Sequence, residues 1–364
     1  MSVTREAVME ALSRVIDPEL NKDLVSAGMI KQVDIDGDNA RISVELTSPA
    51  CPLKEHIGNE IERELSKVDG LGSVQIQWGA KVRSTEGVQQ RIPGVKNTIA
   101  IGAGKGGVGK STIAVLAAIG LQREGAKVGL LDADVYGPSI PKLMGIENQQ
   151  PGVGEKTIVP VEAHGVKVMS IGFMIEPGQA VIWRGPMIHS VVQQFLQQVE
   201  WGELDYLIID LPPGTGDVPL TLSQTVPMTG AVIVCTPQEV ALLDAVRAMR
   251  MYQQLNVGIL GFVENMSYFI APDTGKEYDL FGRGGAKRAA ERVGAPFLGE
   301  IPINIGIRES GDAGTPASIL DDTDEATRNA IMTFVRNMAG RISIANAAPQ
   351  QPSCSAGTCQ HSSK

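Results

Sequence analysis

The sequence predicts an α/β protein in which a mostly parallel sheet flanked by helices is preceded by a small α/β domain. Three observations carry this reading. From Asn97 onward five short apolar runs alternate with helical patterns, the arrangement that packs helices against a parallel sheet. A glycine-rich loop joins the first of these runs to the helix after it. Upstream, residues 84–96 hold Ser84, Thr85, Gly87, Pro93 and Gly94, the composition of a linker, so residues 1–83 read as a separate unit. With 364 residues, 43% apolar and 20% charged, the chain has ordinary globular composition and room for two or three domains.

In the small unit Thr4 is placed to cap a helix running through Val15, and Asp17-Pro18 stops it because the residue before proline is pushed out of the helical region. Ile30 to Ile35 and Ala40 to Leu46 alternate as two strands around Gly37, Asp38 and Asn39, which predicts a hairpin. Pro52 suits the first turn of a helix reaching Lys67, and Ser73 to Trp78 returns as a third strand. The apolar runs of the larger unit, residues 97–342, are Thr98 to Ala103, Lys127 to Leu131, Tyr206 to Ile209, Ala231 to Val234 and Ile259 to Val263. Residues 343–364 contain no aromatic side chain and are rich in Ala, Ser, Gln and Pro, the composition of a mobile tail.

Charge and cysteine usage narrow the function. The 32 basic and 41 acidic groups leave a formal charge of -9, which disfavours a duplex-DNA partner whose affinity would come from neutralising phosphates. No run of about 18 apolar residues occurs, and Arg5, Glu6, Glu10 and Arg14 interrupt the stretch where a secretory signal would need an apolar core. A cytoplasmic protein without membrane or nucleic-acid partners is therefore expected. Four cysteines, Cys51, Cys235, Cys354 and Cys359, are too few for a disulfide framework in a chain of this length.

The glycine-rich loop is Gly104-Lys105-Gly106-Gly107-Val108-Gly109-Lys110-Ser111, between the run ending at Ala103 and an apolar helix. It satisfies G-x-x-x-x-G-K-[ST] in the strand-loop-helix context that gives this pattern its meaning: a P-loop. Glycines let backbone amides turn inward on a phosphate, and the helix N-terminus adds its positive end. Lys110 is the candidate for the β- and γ-phosphates, Ser111 for Mg²⁺, and the loop through Thr112 for nucleotide binding. The fold expected is thus that of a P-loop NTPase.

Two further strand ends carry carboxylates, at the edge where ligands of parallel sheets gather. Tyr206-Leu-Ile-Ile-Asp210 places Asp210 as the second Mg²⁺ element. The segment after it, Leu211 to Asp217, reads either as a loop that responds to the γ-phosphate or as a rigid connection. Asp132 and Asp134 alternate after the strand ending at Leu131, with Asp134 the candidate for orienting the attacking water and Asp132 for a supporting role at Mg²⁺. A late strand ends in Glu264-Asn265-Met-Ser without the Asp of a guanine-reading N-K-x-D. Asn265 therefore points to ATP through an adenine edge, or is a strand-end turn residue.

The second lysine, Lys105 directly after Gly104, resembles the deviant Walker loop of the MinD, ParA and nitrogenase-iron-protein class. Within that class residues 130–141 (LLDADVYGPSIP), 181–187 (VIWRGPM), 207–218 (LIIDLPPGTGDV) and 264–269 (ENMSYF) resemble the Mrp/ApbC family of iron-sulfur cluster carriers, over about residues 97–340. Residues 1–83, with Leu46-Thr-Ser-Pro-Ala-Cys51-Pro, are similar to a small domain found in iron-sulfur assembly factors. The resemblance implies an ATPase homodimer in which Lys105 reaches the partner's nucleotide. It also implies a bound [4Fe-4S] cluster, taken from an assembly scaffold and passed to apo iron-sulfur proteins.

Many members of that family carry a C-x-x-C pair shortly after the N-M-S segment; here Ala271 and Thr274 stand in its place, and neither can act as a thiolate ligand. Cys354 and Cys359 then become the candidate cluster ligands, two per subunit, with His361 leaving a zinc site or no metal as alternatives. Cys51 precedes a predicted helix, whose dipole would favour its thiolate, or it is simply packed. Cys235 ends an apolar run and reads as core, as do Met249, Met251 and Met266, while His56, His164 and His189 lack ligand-spaced partners. The chemistry of Trp183-Arg184-Gly185-Pro186 does not follow from the sequence. The expected function is an ATP-dependent iron-sulfur carrier; the rival is a positional or adaptor ATPase of the same fold without a cluster, which would call for a basic amphipathic helix or basic surface.

Overall fold

A computed structural model describes residues 3–84, 92–174 and 185–347. In the small unit helix α1 (Arg5–Leu12) starts as its cap requires, the Thr4 hydroxyl accepting the Ala7 N–H. It ends before Val15, because Ile16–Asp17 pairs antiparallel with Lys22–Asp23 and the Asp17 carboxylate accepts the N–H groups of Glu19 and Leu20. Strands β1 (Ile30–Asp36) and β2 (Asn39–Leu46) form the hairpin, closed by Asp36 opposite Asn39 with Gly37 at φ 65 between them. Helix α2 (Lys54–Leu65) then crosses back, so β3 (Val74–Ala80) lies parallel to β2 at the sheet edge. Val8 and Leu12 of α1, Ile42 and Val44 of β2, and Ile57 and Ile61 of α2 are fully buried together. Removing each such side chain from water contributes about 2 kcal/mol.

The larger unit is built on a sheet of nine strands among the described residues. Its elements are β4 (Val95–Ala103), α3 (Lys110–Arg123), β5 (Val128–Asp132), β6 (Val161–Ala163), β7 (Val166–Ser170), α4 (Gly185–Gln197) and β8 (Leu204–Asp210). They are followed by α5 (Asp217–Thr225), β9 (Gly230–Cys235), α6 (Glu239–Gln254), β10 (Ile259–Ile270), β11 (Glu277–Tyr278), α7 (Gly285–Val293), β12 (Phe297–Ile303), α8 (Ile305–Ala313) and α9 (Glu325–Ala347). The sheet order is β6-β7-β5-β8-β4-β9-β10-β11, with β12 also on β10, and only the β6 and β11 pairings are antiparallel. Every residue of β5 and β9 is buried, and apolar clusters cover both faces of the sheet.

The P-loop NTPase fold expected from the sequence is thus the architecture observed, with four strands added, of which β7 and β12 are parallel to their neighbours in the main sheet. In β7 Lys167 interrupts the apolar run. In β12 Gly299 and Pro302 break the pattern, and the sheet edge tolerates the proline because no outer partner needs its N–H. β10 runs on to Ile270, so the Asn265-Met-Ser segment lies within a strand, with Met266 at φ 55. Helix α9 continues past residue 342 to Ala347: Ser343 is buried, and the Asn346 amide donates to Arg83 O and Asn97 Oδ1, 2.9 Å each. Helix α9 therefore runs five residues into the stretch whose composition reads as a tail, and residues 348–364 lie outside the described ones, as does much of residues 84–96.

The two units meet through specific contacts. Ser48 Oγ lies 3.0 Å from Tyr206 Oη in the buried junction, and Gly340 of α9 comes so close to Glu19 that a Cβ there would stand 2.2 Å from its carboxylate oxygen. All the strand ends that carry candidate site residues lie at the opposite, C-terminal edge of the large sheet.

Candidate functional site

The loop after β4 is shaped by glycines at positions that exclude side chains. A Cβ on Gly104 would stand 2.1 Å from the Asp244 backbone of α6, which pins the start of the loop to that helix. Gly107 (φ 78) and Gly109 (φ 80) hold the left-handed conformation that turns amides inward. Gly109 is the N-cap of α3 and offers no side-chain cap, leaving the first-turn N–H groups for an anion. Gly106 and Gly107 are exposed, Lys105 and Thr112 are half-buried, and Val108 is buried. Among the described residues Lys105 forms no ion pair.

Beneath the loop the charged groups converge. Lys110 Nζ lies 2.6 Å from Asp210 Oδ1 and 3.2 Å from Asp134 Oδ2, and Ser111 donates its hydroxyl to Asp210 Oδ2 at 2.6 Å. Burial opposes the charge on Lys110, but Asp210 and Asp134 more than offset it, so the ammonium stays charged. Burial raises the Asp210 carboxyl above its ordinary range, with Lys110 pulling the other way. Asp132 is pushed up to about 7 by burial and by Asp210. Asp132 is fully engaged in holding its surroundings: Oδ1 accepts Asp134 N–H at 3.1 Å, and Oδ2 accepts Ile140 N–H at 3.2 Å and the Ser170 hydroxyl at 2.9 Å. Ser170, at the end of β7, is a site residue that sequence reading missed, because its strand was not legible.

The segment after β8 lies against the loop, with Leu211 N–H donating to Ile101 O at 3.2 Å and Gly214 N–H to Ala103 O at 2.8 Å. Asn265 is buried and donates an amide hydrogen to Val108 O at 2.8 Å; a Cβ on Gly109 would meet its amide nitrogen at 2.2 Å. The side chain that sequence reading directs at an adenine thus has one amide hydrogen committed to the shape of the loop. The hard oxygen donors of Ser111 and Asp210 fit Mg²⁺, which takes few protein ligands beside phosphate and water. Among the described residues no group of three or more His, Cys, Asp or Glu is set to hold a metal by itself.

Cys51 is buried, and burial pushes its thiol up to about 11. Of the two sequence readings of Cys51 the packed one agrees with this setting: α2 begins only at Lys54, and desolvation outweighs the helix end. Cys235 is core, its thiol directed to Val263 O at 3.8 Å. Ala271 and Thr274 lie in the turn between β10 and β11, where Gly275 N–H donates to Ala271 O. His164 Nε2 lies 3.2 Å from Met144 O, and His189 Nδ1 2.8 Å from Thr225 Oγ1, both local contacts. Cys354 and Cys359, and Trp183 and Arg184 of the Trp183 to Pro186 segment, lie outside the described residues.

Comparison with known proteins agrees with this geometry over both units. Residues 94–339 match the family model described as NUBPL iron-transfer P-loop NTPase, and residues 5–78 match that of the iron-sulfur cluster assembly protein. The iron-sulfur cluster carrier protein of Deinococcus radiodurans is 52% identical over 340 residues, covering 93% of this chain and 96% of that one. That of Escherichia coli K12 is 39% identical over 341 residues, covering 93% and 91%. A nucleotide-binding protein from Archaeoglobus fulgidus, solved in complex with ADP, superposes with a TM-score of 0.57 at 43% identity and covers 63% of this chain and 91% of its own.

Proposed function

The chain belongs to the family of NUBPL iron-transfer P-loop NTPases, joined to an iron-sulfur cluster assembly domain, and from that premise we propose that it is an ATP-hydrolysing iron-sulfur cluster carrier. The observation that carries the ATPase part is the convergence of Lys110, Ser111 and Asp210 under a loop of inward-turning amides. Entering phosphates compete for Lys110, drawing its ammonium off Asp210 and Asp134. Ser111 and Asp210, once released, would hold Mg²⁺, which would supply neutralisation of phosphate charge. Asp134, freed in the same exchange, orients the attacking water, while Asp132 keeps the Asp134 backbone in place through its Oδ1.

The carrier part combines the relatives' chemistry with this chain's own thiols. Two copies form a homodimer in which Lys105 reaches the partner's nucleotide. Cys354 and Cys359 of both copies ligate a [4Fe-4S] cluster received from an assembly scaffold and passed to apo iron-sulfur proteins. No helix among the described residues is long and apolar enough to cross a membrane; action in the cytoplasm is part of the same proposal. One observation favours a second reading: with Ala271 and Thr274 at the turn where the family resemblance implies cysteines, a nucleotide-dependent adaptor without a cluster would look the same from the described residues. Anaerobic reconstitution with iron and sulfide separates the two. The carrier gains visible charge-transfer absorbance with stoichiometric iron and sulfide; a protein that stays colourless while hydrolysing ATP is the adaptor.

A further inference from the structure

The strand beside the nucleotide loop carries a kink. Within β10 Asn265 pairs with Ile301 of β12 and Phe269 with Ile303, so Met266, Ser267 and Tyr268 stand opposite Pro302 alone. Met266 holds φ 55, a left-handed backbone that is costly for a residue with a side chain and persists only where its surroundings enforce it. The kink lies against the site. Asn265, the residue before it, donates to Val108 O at 2.8 Å, and Met266 Cε is 3.6 Å from where a Cβ on Gly109 would stand.

The enforcement comes from Glu264, a fully buried carboxyl group that the nucleotide chemistry leaves unused. Its Oε1 accepts the Ser267 hydroxyl at 2.5 Å and the Gly284 N–H at 2.8 Å, and its Oε2 accepts the Ala286 N–H at 2.6 Å. In a regular strand Asn265 and Ser267 share one face and Glu264 takes the other. Here the left-handed residue breaks the alternation, and Ser267 comes round to Glu264 while Asn265 keeps to the loop. The first turn of α7, which supplies the two N–H groups, is itself fixed, because a Cβ on Gly285 would stand 2.4 Å from Pro237 O. On the far side of the kink the Arg283 guanidinium lies 3.9 Å from the Tyr268 ring centroid and 2.9 Å from Glu300.

We propose that Glu264 is a positioning residue for the nucleotide loop: anchored on α7, it holds Met266 left-handed and so keeps Asn265 against Val108 O. A buried carboxyl group is costly unless donors meet its oxygens, and the helix N-terminus meets them, so the anchor is rigid. Its effect on nucleotide passes through Asn265. To that extent the proposal rests on the reading of Gly104 to Ser111 as the nucleotide site.

Hydrogen exchange of the nucleotide-free protein and equilibrium titration with MgATP test it on the intact chain. Glu264→Gln keeps the shape of the side chain but sets an amide NH₂ against a backbone N–H in either orientation. The Ile113 amide, which donates to Gly109 O at 3.0 Å, should then exchange at least fivefold faster, and the ATP dissociation constant should rise at least fivefold. In a Met266→Gly background the same change should alter both by less than twofold, because glycine adopts φ 55 without enforcement. Equal effects in the two backgrounds would overturn the proposal, since a carboxyl group that only stabilises the fold acts alike in both. So would an unchanged Ile113 rate in folded Glu264→Gln protein. Should the glutamine variant not fold, Ser267→Ala gives the same cycle with one bond removed, and its effect should likewise vanish beside Met266→Gly. Exchange is read without nucleotide, so a wild type that binds no ATP would overturn the ATP reading of the loop while the Ile113 rates still decide the role of Glu264.

Discussion

The Tyr206 hydroxyl meets the Ser48 hydroxyl at 3.0 Å inside the protein, joining the strand that ends in Asp210 to the small-domain loop that carries Cys51. Burial holds the Tyr206 phenol well above its usual range, so this contact stays neutral at physiological pH. Tyr206→Phe removes a buried hydrogen bond and should cost about 1 kcal/mol in urea unfolding. Ser48→Ala should cost at least as much, since Ala50 N–H also donates to Ser48 Oγ at 3.2 Å. Because both changes break the same bond, the double variant should lose less than the sum; strict additivity would show that the hydroxyls act independently.

Lys110→Ala should lower ATP hydrolysis at least ~10²-fold with an unchanged far-UV spectrum, since it removes the cation placed for the phosphates. Lys105→Ala should reduce hydrolysis while sparing much of the nucleotide binding. Mixing the two variants distinguishes shared sites from separate ones: activity above the sum of the two residual rates is expected if Lys105 acts across the dimer. Additive rates in verified mixed dimers would confine it to its own subunit.

Asn265→Ala removes the hydrogen bond to Val108 O and loosens the loop at Gly109. The expected result in equilibrium titration is a loss of about tenfold in affinity, equivalent to about 1.4 kcal/mol, for ATP and GTP alike. A selective loss for ATP would assign the amide to the adenine after all.

Cys51 should resist alkylation in the native protein. With its thiol moved from the ordinary 9.0 to about 11, the thiolate fraction at pH 8 is far below that of an open thiol, and modification should be at least ~10-fold slower than in urea. The sign for stability follows from the raised value. The neutral thiol's contribution is intact below about 9 and is lost as pH rises through about 11. A native alkylation rate equal to the unfolded one would show that the loop opens.

The Cys354→Ala, Cys359→Ala double variant should take up no iron or sulfide on reconstitution yet keep its ATPase rate, since the change lies beyond the nucleotide site. Retention of iron and sulfide by this variant, with their loss in Cys51→Ala, would move the ligand site to the small domain.

The nucleotide loop was legible because its chemistry is contiguous: Gly104 to Ser111 must follow one another for backbone amides and Lys110 to surround a single phosphate. The buried strands were legible for a related reason, since burial on both faces writes unbroken apolar runs such as those of β8 and β9. Interrupted runs escape that rule: Lys167 concealed β7, between β6 and β5, and Gly299 and Pro302 concealed β12 at the sheet edge. What remained hidden depends on partners far apart in the chain. Ser170 reaches Asp132 across neighbouring strands, Asn265 holds Val108, and Asn346 extends α9 by bonding to Arg83 and Asn97. Cys51 shows the physical reason most directly. Its local setting leaves a thiolate at a helix start and a packed thiol both open, but desolvation is set by everything packed around the sulfur, and residues brought in by folding supply that packing.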